Sequence, residues 1–301
     1  YKGNGIGRII SMFSFVTKLY CNYRRYLRNF KPDIVIASST YPLDIYPAYR
    51  IARHYHAKLI YEVHDLWPLS PMELGGYSKK HPFIRIMQKA EDDCYRYADA
   101  VVSMLPKAEE HMREHGLTRD KFHYVPNGIV LSDWNNPKGI PEEHGLLLSK
   151  LRAEGKFIVG FAGAHGIANS LYAVIDAVSS LTEQNVVLVL VGGGQEKENL
   201  IKYAHKKGVT NVYFLLPINK LAIPNLLKEM DVLYIGLQKQ SLFRFGISPN
   251  KMFDYMMAAK PIIQAIDAGN NLVREADCGI DVEPDNVSEI SKAILALKSM
   301  S

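Results

Sequence analysis

The chain has 301 residues, 48% of them hydrophobic and 22% charged, with a formal net charge of +5. That is the composition of a soluble globular protein, long enough for two domains of roughly 150 residues each. The charge is too mild to argue for a nucleic-acid partner. Three cysteines, Cys21, Cys94 and Cys278, lie far apart with no paired metal spacing, which fits a reducing compartment rather than a disulfide framework.

The chain opens on an apolar stretch, IISMFSFVTKLY, followed by a basic cluster of Arg24, Arg25, Arg28 and Lys31. The stretch falls short of the ~18 apolar residues of a membrane span, and Lys18 interrupts it. Two readings stay open: an amphipathic helix docked on a sheet, or a surface touching anionic lipid. No signal peptide is visible. The first residue is Tyr1 rather than a methionine, so a natural N-terminus with a targeting segment is left open.

Short runs rich in Val, Ile and Leu then recur, each ending in a polar or glycine turn and followed by a helical pattern. DIVIAS (33–38), KLIYEV (58–63), ADAVVS (98–103) and KFHYVP (121–126) predict a first set of strands. FIVGFAG (157–163), NVVLVLVG (185–192), NVYFL (211–215), DVLYIG (231–236), PIIQA (261–265) and GIDV (279–282) predict a second. Nearly continuous apolar strands between amphipathic helices indicate parallel sheets covered on both faces. Right-handed crossovers then make each set a doubly wound, Rossmann-like sheet of the α/β class. The Asn-, Pro- and Gly-rich segment VPNGIVLSDWNNPKGIPEEHG suits an interdomain connection, which puts the domains at 1–135 and 136–301. Two such domains are expected to face each other across a cleft, where ligands bind at the carboxyl ends of the strands. The first set opens with a helix rather than a strand and glycine turn. Its domain is therefore expected to be incomplete, with one or more βα units outside this sequence. The closing LALKSMS is still helical in pattern, and a C-terminal segment is expected beyond it.

Several motifs sit at strand ends. In YEVHDLWPLSP, His64 and Asp65 follow a buried strand, where a histidine can donate to a substrate hydroxyl or move protons; a structural histidine satisfied by its loop is the alternative. Trp67 and Pro68 read as an acceptor wall or as loop packing. Asn127, in VPNG, reads as a turn former. In VGFAGAHGIANSL, the turn of Gly163, His165 and Gly166, with Asn169 beyond it, leads into a helix expected to start near Ala168, whose free amides suit an anion. The turn in VGGGQEKENL carries Glu196 and Glu198, which disfavour a phosphate, and serves the backbone.

The segment FGISPNKMFDYMMAAKPII is more specific. Ser248 is placed to cap a helix with Pro249 in its first position. Asn250, Lys251 and Asp254 then share one face, and Met252, Phe253 and Met256 the opposite one. A lysine and free helix amides suit a diphosphate, and a carboxylate one turn deeper suits the diol of a ribose. No Cys/His spacing for zinc, no Gly-Lys-Thr phosphate loop and no Gly-x-Ser-x-Gly elbow is found.

In this order, VHDLWP, ADAVVS, VPNG, FAGAHGIANSL and FGISPNKMFDYMMAAKPII, the chain resembles a family 4 glycosyltransferase of the two-Rossmann-domain (GT-B) type. It is closest to those that build bacterial O-antigen and capsule polysaccharide, including the fucosamine-transferase-like subgroup. The resemblance implies a nucleotide-sugar donor held mainly by the C-terminal domain, a lipid-linked sugar acceptor held mainly by the N-terminal one, retention of configuration, no cofactor and no required metal. The turn from Gly163 to Gly166 would face the diphosphate, helped by Lys251 and the amides near Asn250. Asp254 would hold the ribose, the backbone of Leu216 to Ile218 would frame the base, and His64 would contact the donor sugar. Many members carry two glutamates eight positions apart here; in this chain the second is Asp254, and Gly246 stands in place of the first. The expected reaction is transfer of an N-acetylated hexosamine or deoxyhexosamine from a UDP-sugar. It would take place in the cytoplasm, with peripheral contact at the inner face of the membrane. Two other classes remain: a sugar-nucleotide 2-epimerase and a non-catalytic sugar-nucleotide-binding protein.

Overall fold

The computed structural model describes residues 6–300. All ten predicted runs form strands: β1 (Ile34–Ala37), β2 (Lys58–Val63), β3 (Ala100–Ser103), β4 (Phe122–Tyr124), β5 (Phe157–Ala162), β6 (Val186–Val191), β7 (Val212–Leu215), β8 (Val232–Gly236), β9 (Ile262–Ala265) and β10 (Gly279–Val282). They form two parallel sheets, one of four strands and one of six. The chain divides into two compact units, Tyr1–Pro126 with Arg244–Ile247, and Asn127–Phe243 with Ser248–Ser301. The change of unit thus comes at Pro126, upstream of the boundary at 135 read from the sequence. The connecting segment is bonded into the second unit from its first residue. Asn127 N donates to Ser248 Oγ (2.8 Å), and Lys138 N donates to the Leu221 carbonyl (2.8 Å).

In the first unit the strands run β1-β2-β3-β4, all parallel and in chain order. Successive right-handed crossovers in one direction carry their helices to the same face. Burial accordingly alternates along β2 and β3. Leu59, Tyr61, Val63 and Val101 pack with Ile45 and Tyr95 from the helices Ile45–Tyr55 and Pro82–Tyr97. Among the described residues this sheet has no reversal of strand order, whereas the sequence reading expects helices on both faces. The side chains of Ile34 and Ile36 on β1 are exposed. The opening helix, Ile6–Tyr26, docks on the helix Ile45–Tyr55 rather than on the sheet. Arg50 holds it there, donating to the Tyr20 carbonyl and lying over the Tyr20 and Tyr23 rings. No described helix is long and apolar enough to cross a membrane.

The second sheet has the order β10-β9-β8-β5-β6-β7. The chain moves outward from β5 to β7, then returns to the other side of β5 and moves outward again to β10. This is a doubly wound sheet, and β5, β6, β8 and β9 are buried along their whole length. Val159, Phe161, Leu188 and Leu190 pack with the helices Leu171–Ser179 and Val287–Ser299. The alternate positions Ile158, Val187, Val189 and Leu233 are equally buried, and the helix Ile223–Lys228 packs on β5 from among its neighbours. Removing each such Val or Leu side chain from water stabilises the fold by about 1.5–3 kcal/mol. The reversal between β5 and β8 leaves a crevice at their carboxyl ends, the place where ligands enter sheets of this winding.

Candidate nucleotide-sugar site

At the end of β5, Gly163 N donates to the Val191 carbonyl (3.0 Å), and the chain leaves the sheet in a turn that interlocks with the turn after β6. His165 N donates to the Gly193 carbonyl (2.8 Å), and Glu196 N donates to the His165 carbonyl (3.0 Å). The contact is so close that a Cβ on Gly192 or Gly194 would overlap the Gly163 or His165 carbonyl oxygen, and both glycines have φ of +151°. The second glycine turn is thus a backbone support for the first. Its Glu196 accepts from Tyr172 Oη (2.8 Å).

His165 lies beneath this turn, fully buried, with no hydrogen-bond partner on either ring nitrogen. Burial, with Lys197 and Lys251 adding to it, pushes its pKa down to about 4, so the ring is neutral at physiological pH. No local pattern in the sequence marks Lys197. Its Nζ donates to the Gly192 (2.9 Å) and Leu215 (2.7 Å) carbonyls, joining the ends of β6 and β7. Lys251 Nζ donates to Asn169 Oδ1 (2.6 Å) and sits 4.4 Å from the centre of the Phe161 ring. Asn169 Nδ2 in turn donates to the Ala164 carbonyl (3.0 Å). The turn, the amide and the ammonium form one unit. No described carboxylate pairs with Lys251, and burial lowers its pKa to about 8.

Lys251 and Asp254 lie on the helix Asn250–Met257, whose buried face is Met252 and Tyr255. Tyr255 Oη is bonded by Ala162 N (3.0 Å), which fixes the helix to the last residue of β5. Phe253 and Met256, read as the packing face with Met252, are only partly buried. Asn250, Lys251 and Asp254 line a cavity of about 540 Å³ together with Gly163, Trp134 and Lys220. Burial raises the Asp254 carboxyl, while Trp134, donating to it, and Lys220 oppose the rise. The cavity therefore offers an ammonium near a helix N-terminus and, one turn on, a carboxylate. That pairing suits a molecule with an anionic end and a hydroxyl-bearing part.

Other residues take different places. Ser248 does not cap this helix: Pro249, extended at φ −72° and ψ 127°, is the N-cap, with no side-chain bond. The Ser248 hydroxyl accepts from Asn127 N instead, and its carbonyl accepts from Asn127 Nδ2 (2.5 Å). Asn127 is therefore a brace to the segment that leads into the Lys251 helix as well as a turn residue. The helix after the first glycine turn starts at Leu171, not near Ala168. Residues Ile167–Asn169 form a tight 3₁₀ turn, Ser170 is left-handed at φ +50°, and its hydroxyl donates to Asp285. Gly166 accepts from Asn169 N (3.1 Å) within that turn. Leu216 and Ile218 are not among the residues lining the cavity, and the Leu216 carbonyl already accepts from the buried His144 (2.9 Å).

His64 and Asp65 belong to the first unit. The register pairs Ala37 of β1 with Tyr61 of β2, which brings Ser38 beside Glu62 and His64. Ser38 Oγ donates to Glu62 Oε2 (2.5 Å) and lies 3.0 Å from His64 Nε2. With the serine hydrogen given to Glu62, the Ser38 oxygen is left to accept from His64 Nε2. Asp65 is exposed. Gly246, where the family's first glutamate stands, is buried at φ +100°; a side chain there would be both strained and enclosed.

A family model described as a glycosyl transferase 4-like domain matches residues 7–128, and one described as glycosyl transferases group 1 matches residues 156–299. A curated relative, the proposed teichuronic acid biosynthesis glycosyltransferase TuaH of Bacillus subtilis (strain 168), is 24% identical over 215 residues, 68% of this chain and 50% of the relative. The chain thus spans about half the length of the curated relative it matches. Among solved structures, Anabaena Alr3699/HepE in complex with UDP superposes with a TM-score of 0.69 at 18% identity, covering 93% of this chain and 72% of that one. A proposed UDP-N-acetylglucosamine 2-epimerase from Listeria monocytogenes superposes with a TM-score of 0.61 at 13% identity, covering 99% and 73%. At these identities the structures speak for the fold. The two family models together cover most of the chain, and it belongs to the family 4 glycosyltransferases of GT-B fold.

Proposed function

We propose that this chain is a retaining glycosyltransferase that moves an N-acetylated hexosamine or deoxyhexosamine from a UDP-sugar to a lipid-linked glycan in surface polysaccharide synthesis. One observation carries the reading: Lys251 and Asp254, a turn apart, line a single cavity at the reversal point of the second sheet. When the glycosidic bond breaks, negative charge develops on the leaving diphosphate. A fixed ammonium and a helix N-terminus stabilise that charge without reorganising. Lys251 does this as the residue nearest the glycine turn, and Asp254 accepts from the ribose hydroxyls. His64 and Asp65 act at the sugar, with Ser38 and Glu62 orienting the imidazole. The UDP bound to Alr3699/HepE and the polysaccharide context of TuaH's name support the donor and the pathway.

The experiment compares UDP with 2′-deoxy-UDP by calorimetry. The protein should bind UDP about tenfold more tightly, and Asp254→Ala should bring the two affinities together. An unchanged preference in Asp254→Ala would remove the ribose role. Incubation with UDP-sugar alone, followed by NMR, separates transfer from the epimerase reading: a sugar inverted at C2 without acceptor would favour the latter. Binding with no turnover for any acceptor would favour a non-catalytic protein.

A further inference from the structure

A second cluster lies in the first unit, on the helix Pro82–Tyr97 and on the helix Glu109–Glu114 with its C-cap residue His115. Glu91, His111 and His115 each bring one ligand atom within 4.8 Å of the other two. The sequence reading finds no metal-ligand spacing, yet His111 and His115 stand four residues apart, one helical turn, and Glu91 comes from the facing helix.

Three details separate this cluster from an ordinary histidine–carboxylate contact. Glu91 is only 1% exposed, and each of its oxygens is already oriented: Oε1 accepts from Tyr95 Oη (2.9 Å) and Oε2 from Gln88 Nε2 (2.8 Å). His111 Nε2 is buried and has no hydrogen-bond partner, although it faces Glu91 Oε1 at 3.4 Å. That is long for a hydrogen bond to a carboxylate. It is close to the ~3.3 Å that separates two tetrahedral ligands, each ~2.0–2.1 Å from a shared zinc. The nearby cations are engaged elsewhere, since Lys89 bonds Asp93 (3.0 Å) and Arg96 lies 3.9 Å from the same carboxylate.

We infer that Glu91, His111 and His115 form a site for a divalent cation of the zinc class. Two imidazoles and a carboxylate are ligands that suit such an ion, and Tyr95 and Gln88 hold the carboxylate from outside. Asp92 Oδ1 and Gln88 Nε2 lie 3.0 and 2.8 Å from His115 Nδ1. His111 and His115 line a cavity of about 630 Å³ together with Gln88, Asp92 and Glu114. The ion joins two helices that otherwise meet through side chains alone, and it fixes the His111 ring, on which Phe245 packs at 5.5 Å between centroids. Its role is structural, separate from the cavity of Lys251.

The test is titration of the chelator-stripped full chain with zinc by calorimetry and with cobalt by visible absorption. One ion should bind per chain, cobalt should give the intense visible bands of a four-coordinate site, and zinc should raise the melting temperature. His115→Ala and Glu91→Gln should each weaken zinc at least tenfold. His205→Ala, on the exposed end of the helix Lys197–Lys206, should not. UDP affinity should be the same with and without zinc. Absence of binding to the unmutated chain overturns the inference, as does binding that neither His115→Ala nor Glu91→Gln weakens. Should Glu91→Gln fail to fold, His115→Ala and the cobalt spectrum of the unmutated chain still decide.

Discussion

Lys251 is a cation buried beside a neutral amide and an aromatic ring rather than a carboxylate. Its pKa falls from 10.5 in the unfolded chain to about 8 in the fold. Between those values the unfolded chain binds more protons, so stability rises with pH across that interval, and below pH 8 the folded protein carries the whole cost. That cost is about 3 kcal/mol. Lys251→Met should therefore raise the melting temperature by several degrees, even after Asn169 Oδ1 loses its donor. The same variant should bind UDP at least tenfold more weakly, and UDP affinity of the unmutated protein should decline as pH rises past 8. A lower melting temperature, or UDP binding untouched, would contradict this account. His165 has the same linkage sign, in the acid range. Its pKa of about 4 lies below the unfolded 6.5, so stability falls as pH drops from 6.5 to 4. In urea denaturation, His165→Leu should flatten that slope relative to the unmutated chain, since a leucine takes no proton. An identical slope in both proteins would show that other groups carry it.

At the scale of elements, the two glycine turns support each other, and Gly163 of the first lines the cavity. Gly194→Ala would set a methyl against the His165 carbonyl at a φ that L-residues avoid. We expect a loss of about 2 kcal/mol or more and a weaker UDP affinity, read by thermal unfolding and calorimetry. A variant as stable as the parent would mean the turns do not interlock as described. Both turns were legible in the sequence as strand-end glycines, and so was the shared face of Asn250, Lys251 and Asp254. Their mutual support was not, because it depends on β5 and β6 lying side by side. Ser248 shows the same limit. Its local signal is a helix cap, but the hydroxyl accepts from Asn127, 121 residues away in the chain. The bracket of Ser38 and Glu62 around His64 likewise follows from the register of β1 on β2, which no local pattern encodes.

Across the whole chain, the apolar runs were enough to place all ten strands. They did not distinguish the two ways of winding them, because a buried run in sequence does not say to which side of the sheet the chain returns. In the second sheet the return to β8 covers both faces. In the first, the described strands follow one another in order, and Ile34 and Ile36 remain exposed at β1. Amide protection depends on how much structure must open before water reaches the backbone. Hydrogen exchange followed by mass spectrometry should therefore find β5, β6, β8 and β9 the slowest to exchange. Peptides containing β1 and β4 should exchange faster by orders of magnitude, since among the described residues β1 and β4 are edge strands and β1 leaves Ile34 and Ile36 exposed. Protection of β1 equal to that of β6 would mean the chain buries that face and edge in solution, and the contrast between the two sheets would have to be withdrawn.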